Sequence, residues 1–242
     1  MLGSPPRTPA PATTCVHLCT LVALALAFAA VQVGAQGFSF SQPDNSAQRE
    51  QQAREQRVAE LLSTPCRAGL KDRKIMVVIG EMQSNGFVSA QQQNYGPHFQ
   101  ALNQRLRALG LKTWTPEEIR RQVAQAEIDA YFRNDPDAAL AASKRLGADF
   151  VLRGLIASQA TPNPVMAVNQ VTVTMGFTLS EASGKVISNT DARGASYAGA
   201  DVAGMALTLV SEAADEVVAR LYADYCQNAG LGPPPKSRPA RK

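Results

Sequence analysis

Cys66 and Cys226 are the residues of this chain whose placement most clearly predicts covalent chemistry. They stand at the two ends of a stretch that alternates strand-like and helix-like patterns, whereas Cys15 and Cys19 lie in an apolar N-terminal stretch. In an oxidising compartment the outer pair can form a disulfide, but in a reducing cytosol both residues stay thiols. The sequence therefore predicts a structural disulfide that ties the two ends of one domain together, with reactive free thiols as the alternative.

The N-terminal stretch indicates which compartment applies. Residues 16–33 carry no charge, and the stretch ends in Val33-Gly34-Ala35, small residues two apart of the kind that signal peptidase accepts. We therefore expect residues 1–35 to be a signal peptide and the product to be periplasmic or secreted, with no transmembrane span after signal removal. No cysteine stands at the cleavage site, so we expect no lipid anchor. The alternative is that this stretch is retained as a membrane anchor.

The remaining sequence contains few residues that could carry out catalysis. His98 is the one histidine after the signal, and no serine lies in a strand-to-helix elbow that could pair with it. One histidine and two distant cysteines do not supply a zinc site, and residues 80–86 lack the lysine of a phosphate-binding loop. Glu117 and Glu118 stand in a first helical turn, where the helix dipole favours carboxylates without any chemistry. We expect no enzyme activity, no metal and no cofactor.

The charge distribution excludes a second class of function. The chain has 24 basic and 20 acidic residues, but four of the basic side chains lie in the last seven residues, so the body is close to neutral. Strong nucleic-acid binding needs a clustered basic face, which this body does not offer. We expect residues 229–242 to be a disordered, proline-rich basic tail that makes at most weak contact with an anionic surface.

Two regions are candidates for binding a partner. The first is the polar loop 82–96, whose length alone suggests a function, together with the histidine that follows it. The second is the last strand of a predicted hairpin, which is either a sheet edge guarded by polar groups or an edge that accepts an added strand. An ordinary flexible loop is the alternative for the first region. The candidate residues are Phe87, Tyr95, His98, Asn189, Asp191 and Arg193.

The positioning elements follow from hydrophobic periodicity and capping signals. Residues 36–64 are predicted to be a lead and a polar helix whose last turn docks, or else a partner-binding helix. Further on we expect a covered strand at 73–79, a mobile loop at 82–96, helices at 97–109 and from Thr115, and a helix after Asp135-Pro136. The helix from Thr115 is predicted to bury one stripe, Ile119, Val123, Ala126 and Ala130.

The C-terminal half is predicted to be β-rich. We expect strands at 149–157, 171–179 and 186–193, a short connection at 158–167 and a final helix from Val202. The strand at 171–179 alternates apolar side chains with threonines, as expected of a sheet with one covered face. The predicted fold class is α/β, a mixed four- to five-stranded sheet with helices packed against it, in a single domain over residues 65–228.

The C-terminal half resembles one bacterial envelope superfamily in five features taken together. These are the run Gly147-Ala148-Asp149, the glycine-containing strand that follows, the long alternating strand, the turn Ser183-Gly184-Lys185 and the alanine-rich last helix. It comprises the curli-secretion lipoprotein, the lipoprotein activator of penicillin-binding proteins (LpoB), the flagellar assembly T protein and the N-terminal domain of TolB. The resemblance covers residues 73–222. It implies a non-catalytic domain that docks onto other envelope proteins. The missing lipidated cysteine and the short 158–167 connection argue against a lipid tether and against pore formation.

The sequence therefore predicts an exported, non-catalytic docking or accessory protein of cell-envelope assembly or maintenance, whose partner is an envelope protein. The alternative is a periplasmic protein that binds a small ligand or glycan in a cleft beside the loop 82–96. Docking predicts an open strand edge or an apolar patch, whereas ligand binding predicts an enclosed pocket with convergent polar groups.

Overall fold

The computed structural model describes residues 45–133 and 135–230, apart from the side chains of residues 93, 136 and 139. In this part the chain is an α/β body with a six-stranded mixed sheet. The predicted signal peptide, the lead before residue 45 and the basic tail after residue 230 lie outside the described residues.

Six α-helices and six strands make up the described body. The helices are α1 (Ser46–Leu62), α2 (Gly96–Ala108), α3 (Pro116–Gln122), α4 (Gln125–Phe132), α5 (Pro136–Leu146) and α6 (Val202–Asn228). The strands are β1 (Lys74–Met82), β2 (Val88–Ser89), β3 (Lys112–Thr113), β4 (Phe150–Pro162), β5 (Asn169–Glu181) and β6 (Val186–Ala198).

The sheet has the strand order β2-β1-β4-β5-β6, and β3 pairs with the start of β1 on the same side as β2. β1 and β4 are parallel, from Ile75 opposite Phe150 to Glu81 opposite Ile156. β4, β5 and β6 are each 13 residues long. They form two successive antiparallel pairs, β4 with β5 and β5 with β6. A parallel pair joined by helices and followed by a meander explains why the sheet is mixed.

One face of the sheet carries the main core. The alternating side chains of β5 are buried on this face, against α6, and Phe177 also packs where Gly154 leaves room for it. The opposite face is covered beside β1, where a Cβ at Gly80 would lie 2.7 Å from the ring of Phe132. On β5 that same face is open, because Thr174 and Gly176 are exposed. The buried β5 residues are Val171, Val173, Met175, Phe177 and Leu179.

The two ends of the domain are tied together beside α6. A disulfide joins Cys66 to Cys226, with the two Cα atoms 5.7 Å apart. The buried Tyr222 reinforces this tie, because its hydroxyl accepts a hydrogen bond from the Cys66 N–H at 3.1 Å and donates one to the Thr64 carbonyl. A first segment and a last helix that are distant in sequence are thereby held as one unit.

The predicted fold class is confirmed, with one strand more than the four to five expected, because β2 is only two residues long and was not predicted. The prediction of a mobile loop at 82–96 is wrong. This segment contains β2 and a 3₁₀ turn at Gln92–Tyr95. The fully buried Gln92 side chain accepts from the Ile79 N–H at 2.9 Å and donates to the Ile79 carbonyl at 2.8 Å, so the loop is pinned to β1.

The single helix predicted from Thr115 is two helices. The predicted capping box at its start is present, with Glu118 N donating to Thr115 Oγ1 and Thr115 N donating to Glu118 Oε2. The helix then breaks at Val123, which is buried with extended backbone, and Glu127 accepts from Ala124 N at 3.1 Å to start α4. The buried stripe is therefore Ile119, Val123, Ile128 and Phe132, and Ala126 is exposed instead.

β4 and β6 extend furthest beyond their predicted ends. β4 continues through 158–162 because each of these residues pairs with β5, so the expected connection at 158–167 shrinks to residues 163–168. β6 continues past Arg193 to Ala198, which pairs with Asn169. Serine, threonine, alanine and glycine dominate both extensions, and these residues give no apolar alternation that sequence analysis could detect.

Candidate functional site

The outer edge of β6 is an open edge of the sheet in the described body. β6 ends the strand order, and no other described strand pairs with its outer side. It is 13 residues long, whereas edge strands in soluble proteins are commonly short or blocked. A long open edge presents N–H and C=O groups to which an extended segment can add as a new strand.

The two faces of β6 differ in size and polarity. On the face toward α6 the side chains are small, and a Cβ at Gly194 would lie 3.1 Å from Leu209 Cδ2, so α6 approaches this strand closely. On the other face Asn189, Asp191 and Arg193 are exposed, and Asn189 Oδ1 accepts a hydrogen bond from Thr178 Oγ1 at 2.9 Å. The small residues toward α6 are Ser188, Thr190, Ala192, Gly194, Ser196 and Ala198.

A groove of about 390 Å³ runs beside this edge. We call it the β6 groove. Its sides are formed by α1 and β6, and α6 supplies its floor. The groove contains an apolar strip formed by Leu209, Ala213 and Val217. Its lining residues are Arg54, Arg57, Asp191, Ala192, Arg193, Gly194, Leu209, Glu212, Ala213, Glu216, Val217 and Arg220.

A charged cluster fixes the relation between α1, α6 and β6. Glu216 lies between two guanidinium groups, with Arg57 Nε at 3.5 Å and Arg220 Nη2 at 2.6 Å from its Oε1. Burial alone raises the pKa of Glu216, but the hydrogen bonds and charges of Arg220 and Arg57 outweigh it and lower the pKa below its ordinary value. Glu216 is therefore ionised at neutral pH and links α1 to α6.

The same cluster blocks part of the β6 edge. Arg220 Nη1 donates to the Asp191 carbonyl at 3.2 Å, and Asn228 Nδ2 donates to the Ile187 carbonyl at 2.9 Å. Both carbonyls therefore point away from β5, and the alternation of the strand directs the backbone groups of Arg193, Ala195 and Tyr197 the same way. Within the described residues no side chain hydrogen-bonds to those three, so the edge is blocked from 187 to 191 and open from 193 to 197.

The other three candidate residues lie at the far side of the sheet. Phe87 is 74% exposed in the turn after β1, and its N–H donates to Asn85 Oδ1 at 3.1 Å. Tyr95, predicted to contact a partner, is instead buried, and its hydroxyl donates to the Ser89 carbonyl at 2.8 Å. Because β1, β4 and β5 stand between β2 and β6, the two sets of candidates do not form one site.

His98 lies against the ring of Tyr95, with ring centroids 5.9 Å apart. Burial lowers the pKa of His98, and the nearby charge of Glu81 only partly opposes this. Its Nδ1 atom is buried and has no hydrogen-bond partner among the residues that the structure describes. His98 is thus a half-buried packing residue rather than part of an exposed binding surface.

A second groove, of about 240 Å³, lies between α4, α5 and the sheet. It combines apolar side chains with polar ones, as a small-ligand pocket does, but its polar atoms already have partners. Ser143 Oγ donates to the Leu140 carbonyl at 2.9 Å, Thr178 Oγ1 donates to Asn189, and the Arg153 guanidinium lies 5.5 Å from the centre of the Tyr131 ring. The alternative prediction placed a ligand cleft beside the 82–96 loop; the interior of this loop is filled by Gln92.

The residues that α1 and α6 contribute to the β6 groove were not predicted from the sequence. Arg54 and Arg57 are three residues apart on a polar helix and read as solvated, and Glu212, Glu216 and Arg220 read as the outer face of α6. Their four-residue spacings along α6 were the available signal, because side chains at i and i+4 share a face. What the spacing does not reveal is that this face borders a strand edge.

Neither a metal site nor a membrane-spanning helix is found in the described part of the chain. Across residues 45–133 and 135–230, no three His, Cys, Asp or Glu side chains are grouped so that they could hold a metal ion. No helix in the same ranges has the length and apolar character needed to span a bilayer.

The sequence matches no protein-family model and no curated protein at a significant level. Solved structures with a similar fold include lipoprotein GNA1162 from Neisseria meningitidis (15% identity, 60% of this chain and 97% of that chain covered, TM-score 0.42). They also include the hypothetical protein CT253 from Chlamydia trachomatis (14%, 65% and 99%, TM-score 0.45) and the C-terminal domain of LpoB from Salmonella enterica (13%, 58% and 93%, TM-score 0.35).

Proposed function

We propose that this protein is an exported, non-catalytic docking protein of the bacterial cell envelope, which binds an extended segment of a partner protein along β6. The observation that carries the proposal is the open half of the β6 edge, at residues 193–197, beside the β6 groove. Hydrogen bonds from a free strand edge supply affinity, and the adjoining groove selects the side chains of the added strand.

The groove indicates what the added strand contributes. One face of a strand added beside β6 would contact the apolar strip of Leu209, Ala213 and Val217. Every second side chain of the added strand faces this strip, so we expect these side chains to be apolar. The Arg220 and Asn228 hydrogen bonds occupy carbonyls of β6 up to residue 191, which limits the added strand to registers that begin beyond that residue. Arg193 and Asp191 at the rim would then contact its polar side chains.

Support for an exported protein comes from the disulfide, because bonds of this kind persist in oxidising compartments. Support for a non-catalytic role comes from His98, which packs against Tyr95 and has its Nδ1 buried rather than aimed at a cleft. The alternative of small-ligand binding is less well supported, because the polar atoms of the second groove are already bonded within the protein.

The test places a photo-crosslinking amino acid at Arg193 in cells that express the protein, and combines it with substitutions at Ala195. Ala195→Pro removes an outward N–H, a change that an edge strand tolerates, whereas Ala195→Thr keeps the N–H and serves as the matched control. We expect one specific protein crosslink from position 193, lost with Ala195→Pro and retained with Ala195→Thr. A crosslink that survives Ala195→Pro in folded protein, or no crosslink at all, contradicts strand addition at β6.

A further inference from the structure

Three stretches of the chain that meet at one end of the sheet contain no charged side chain. Residues 154–180 contain no Asp, Glu, Lys or Arg, although the 18% charged fraction of the chain predicts about five in 27 residues. Residues 82–97 and 194–200 contain none either. Because uncharged stretches of this length are unusual on a surface exposed to water, their common location matters.

The topology brings the three stretches to the same end. β1 and β4 are parallel, so the turn that follows β1 lies at the end where β4 joins β5, and β6 finishes there because Ala198 pairs with Asn169. The β4–β5 hairpin projects furthest. Pro162 is six residues beyond Ile156, the last partner of β1, which corresponds to about 20 Å at the rise of an extended strand.

The tip of this hairpin presents two large apolar side chains to solvent. Val165 is 91% exposed and Met166 is 51% exposed. The Asn163 Oδ1 atom accepts hydrogen bonds from both of their N–H groups, at 2.8 and 3.0 Å, so the tip has a defined conformation. Two apolar side chains held outward at a tip gain nothing from contact with water.

A band of neutral polar side chains and one aromatic ring lies a short distance behind the tip. Tyr197 is 54% exposed and pairs with Gln170, which in turn pairs with Thr161. Thr161 and Gln170 lie two positions before and after the connection 163–168, roughly 7 Å along the strands, and Tyr197 lies beside Gln170. Tyrosine is enriched at the headgroup level of membranes, where its ring is apolar and its hydroxyl is hydrated.

From this arrangement we infer that the uncharged end contacts a lipid bilayer, with Val165 and Met166 inserted below the headgroups and Tyr197 at headgroup level. A protein-binding surface would carry a polar rim with charges, whereas the hydrocarbon boundary excludes charges from every inserted element, as found here. Two carboxylates border this end: Asp201 accepts a hydrogen bond from Gly204 N as the cap of α6, and Glu81 accepts one from Ser158 Oγ at 3.1 Å. With two acids at the border and no basic side chain within the three stretches, zwitterionic lipid fits this end better than anionic lipid.

A local fluorescent reporter in the full chain tests the inference. A Met166→Trp variant and a Val186→Trp variant, the second at the opposite end of β6 where Val186 is also half exposed, are mixed with phosphatidylcholine vesicles. We expect the emission of the Met166→Trp reporter to shift to the blue and that of the Val186→Trp reporter to stay unchanged. Because each reporter senses its own surroundings, attachment through the apolar N-terminal stretch does not imitate this result.

Vesicle flotation supplies the second measurement. The paired change Val165→Ser and Met166→Ser should weaken binding at least about fivefold relative to the unchanged chain, since it removes the apolar surface that enters the bilayer. Val186→Ser, which removes an exposed apolar side chain at the other end, should bind as the unchanged chain does. An unshifted Met166→Trp emission, or equal flotation of the paired variant, overturns the inference. The proposed strand addition depends on the backbone edge of residues 193–197 and not on the side chains of Val165 and Met166, so it stands or falls separately.

Discussion

Loss of the disulfide between Cys66 and Cys226 should remove a large part of the stability of this domain. The bond links residues 160 positions apart, so it closes a loop that includes nearly the whole domain. The chain-entropy relation for a loop of this length gives about 5 kcal/mol at 25 °C, and native-state effects commonly reduce such values, so we expect a loss of about 3–5 kcal/mol. Domains are stable by about 5–15 kcal/mol in total.

The assay is equilibrium unfolding in urea of the full chain and of a Cys66→Ala/Cys226→Ala variant, followed by circular dichroism. Both cysteines are buried, and alanine at each position removes one sulfur atom without burying a polar group. The midpoint should fall while the protein remains folded in buffer. Reduction of the unchanged chain should lower its free energy of unfolding by a similar amount, which separates the loss of the bond from the loss of sulfur packing.

A free energy of unfolding within about 1 kcal/mol of the unchanged chain would refute this reasoning. It would mean that the hydrogen bonds of Tyr222 to Cys66 N and to the Thr64 carbonyl already hold the two ends of the domain together. A Tyr222→Phe change in the disulfide-free variant distinguishes the two ties, because it removes both hydrogen bonds and keeps the ring.

Three other predictions follow from single positions. Gly194→Val should destabilise the fold by about 1–3 kcal/mol in urea unfolding, because a Cβ there crowds Leu209, whereas Gly176→Val at an open position should not destabilise it. Gln92→Leu should cost about 1–3 kcal/mol in the same assay, because it leaves backbone groups of β1 buried without partners; unchanged stability contradicts the pinned loop. Because the pKa of Glu216 is lowered in the folded protein, the stabilisation from its ionised form is complete above the ordinary pKa of 4.5 and is lost as the pH falls through the folded pKa. The Glu216→Gln variant should therefore show a flatter acid limb in a plot of unfolding free energy against pH.

The parts of the fold that local sequence dictates could be predicted. The alternation in β5 gave the covered face correctly, and Thr115 and Asp135 cap α3 and α5 as expected. Gly147 ends α5 in the left-handed region, at φ 61°, which its position after Leu146 indicated. These features depend on side chains within a few residues of the backbone that they determine, so the sequence alone contains the information.

The features that the sequence did not reveal depend on distant contacts. Gln92 reads as one of several glutamines in a polar loop until β1 is placed beside it and offers both the N–H and the carbonyl of Ile79. Val123 fits a helical stripe in sequence, yet it is buried with extended backbone between α3 and α4. In both cases tertiary packing decided the outcome against a local pattern, which helix propensity and periodicity do not anticipate.

The two halves of β6 show how an edge strand can stay soluble and still be available for binding. Between residues 187 and 191, the Ile187 and Asp191 carbonyls accept hydrogen bonds from Asn228 and Arg220, which belong to the C-terminal part of α6. From residue 193 onward, the backbone groups of Arg193, Ala195 and Tyr197 point outward, and no side chain of the described residues hydrogen-bonds to them. If this edge only had to avoid pairing, we would expect it to be blocked along its whole length, because an open edge presents N–H and C=O groups that can pair with another chain. Because only the first half of the edge is occupied, an added strand can pair with β6 only in registers that begin beyond residue 191. The contacts that limit aggregation therefore also determine where a partner binds.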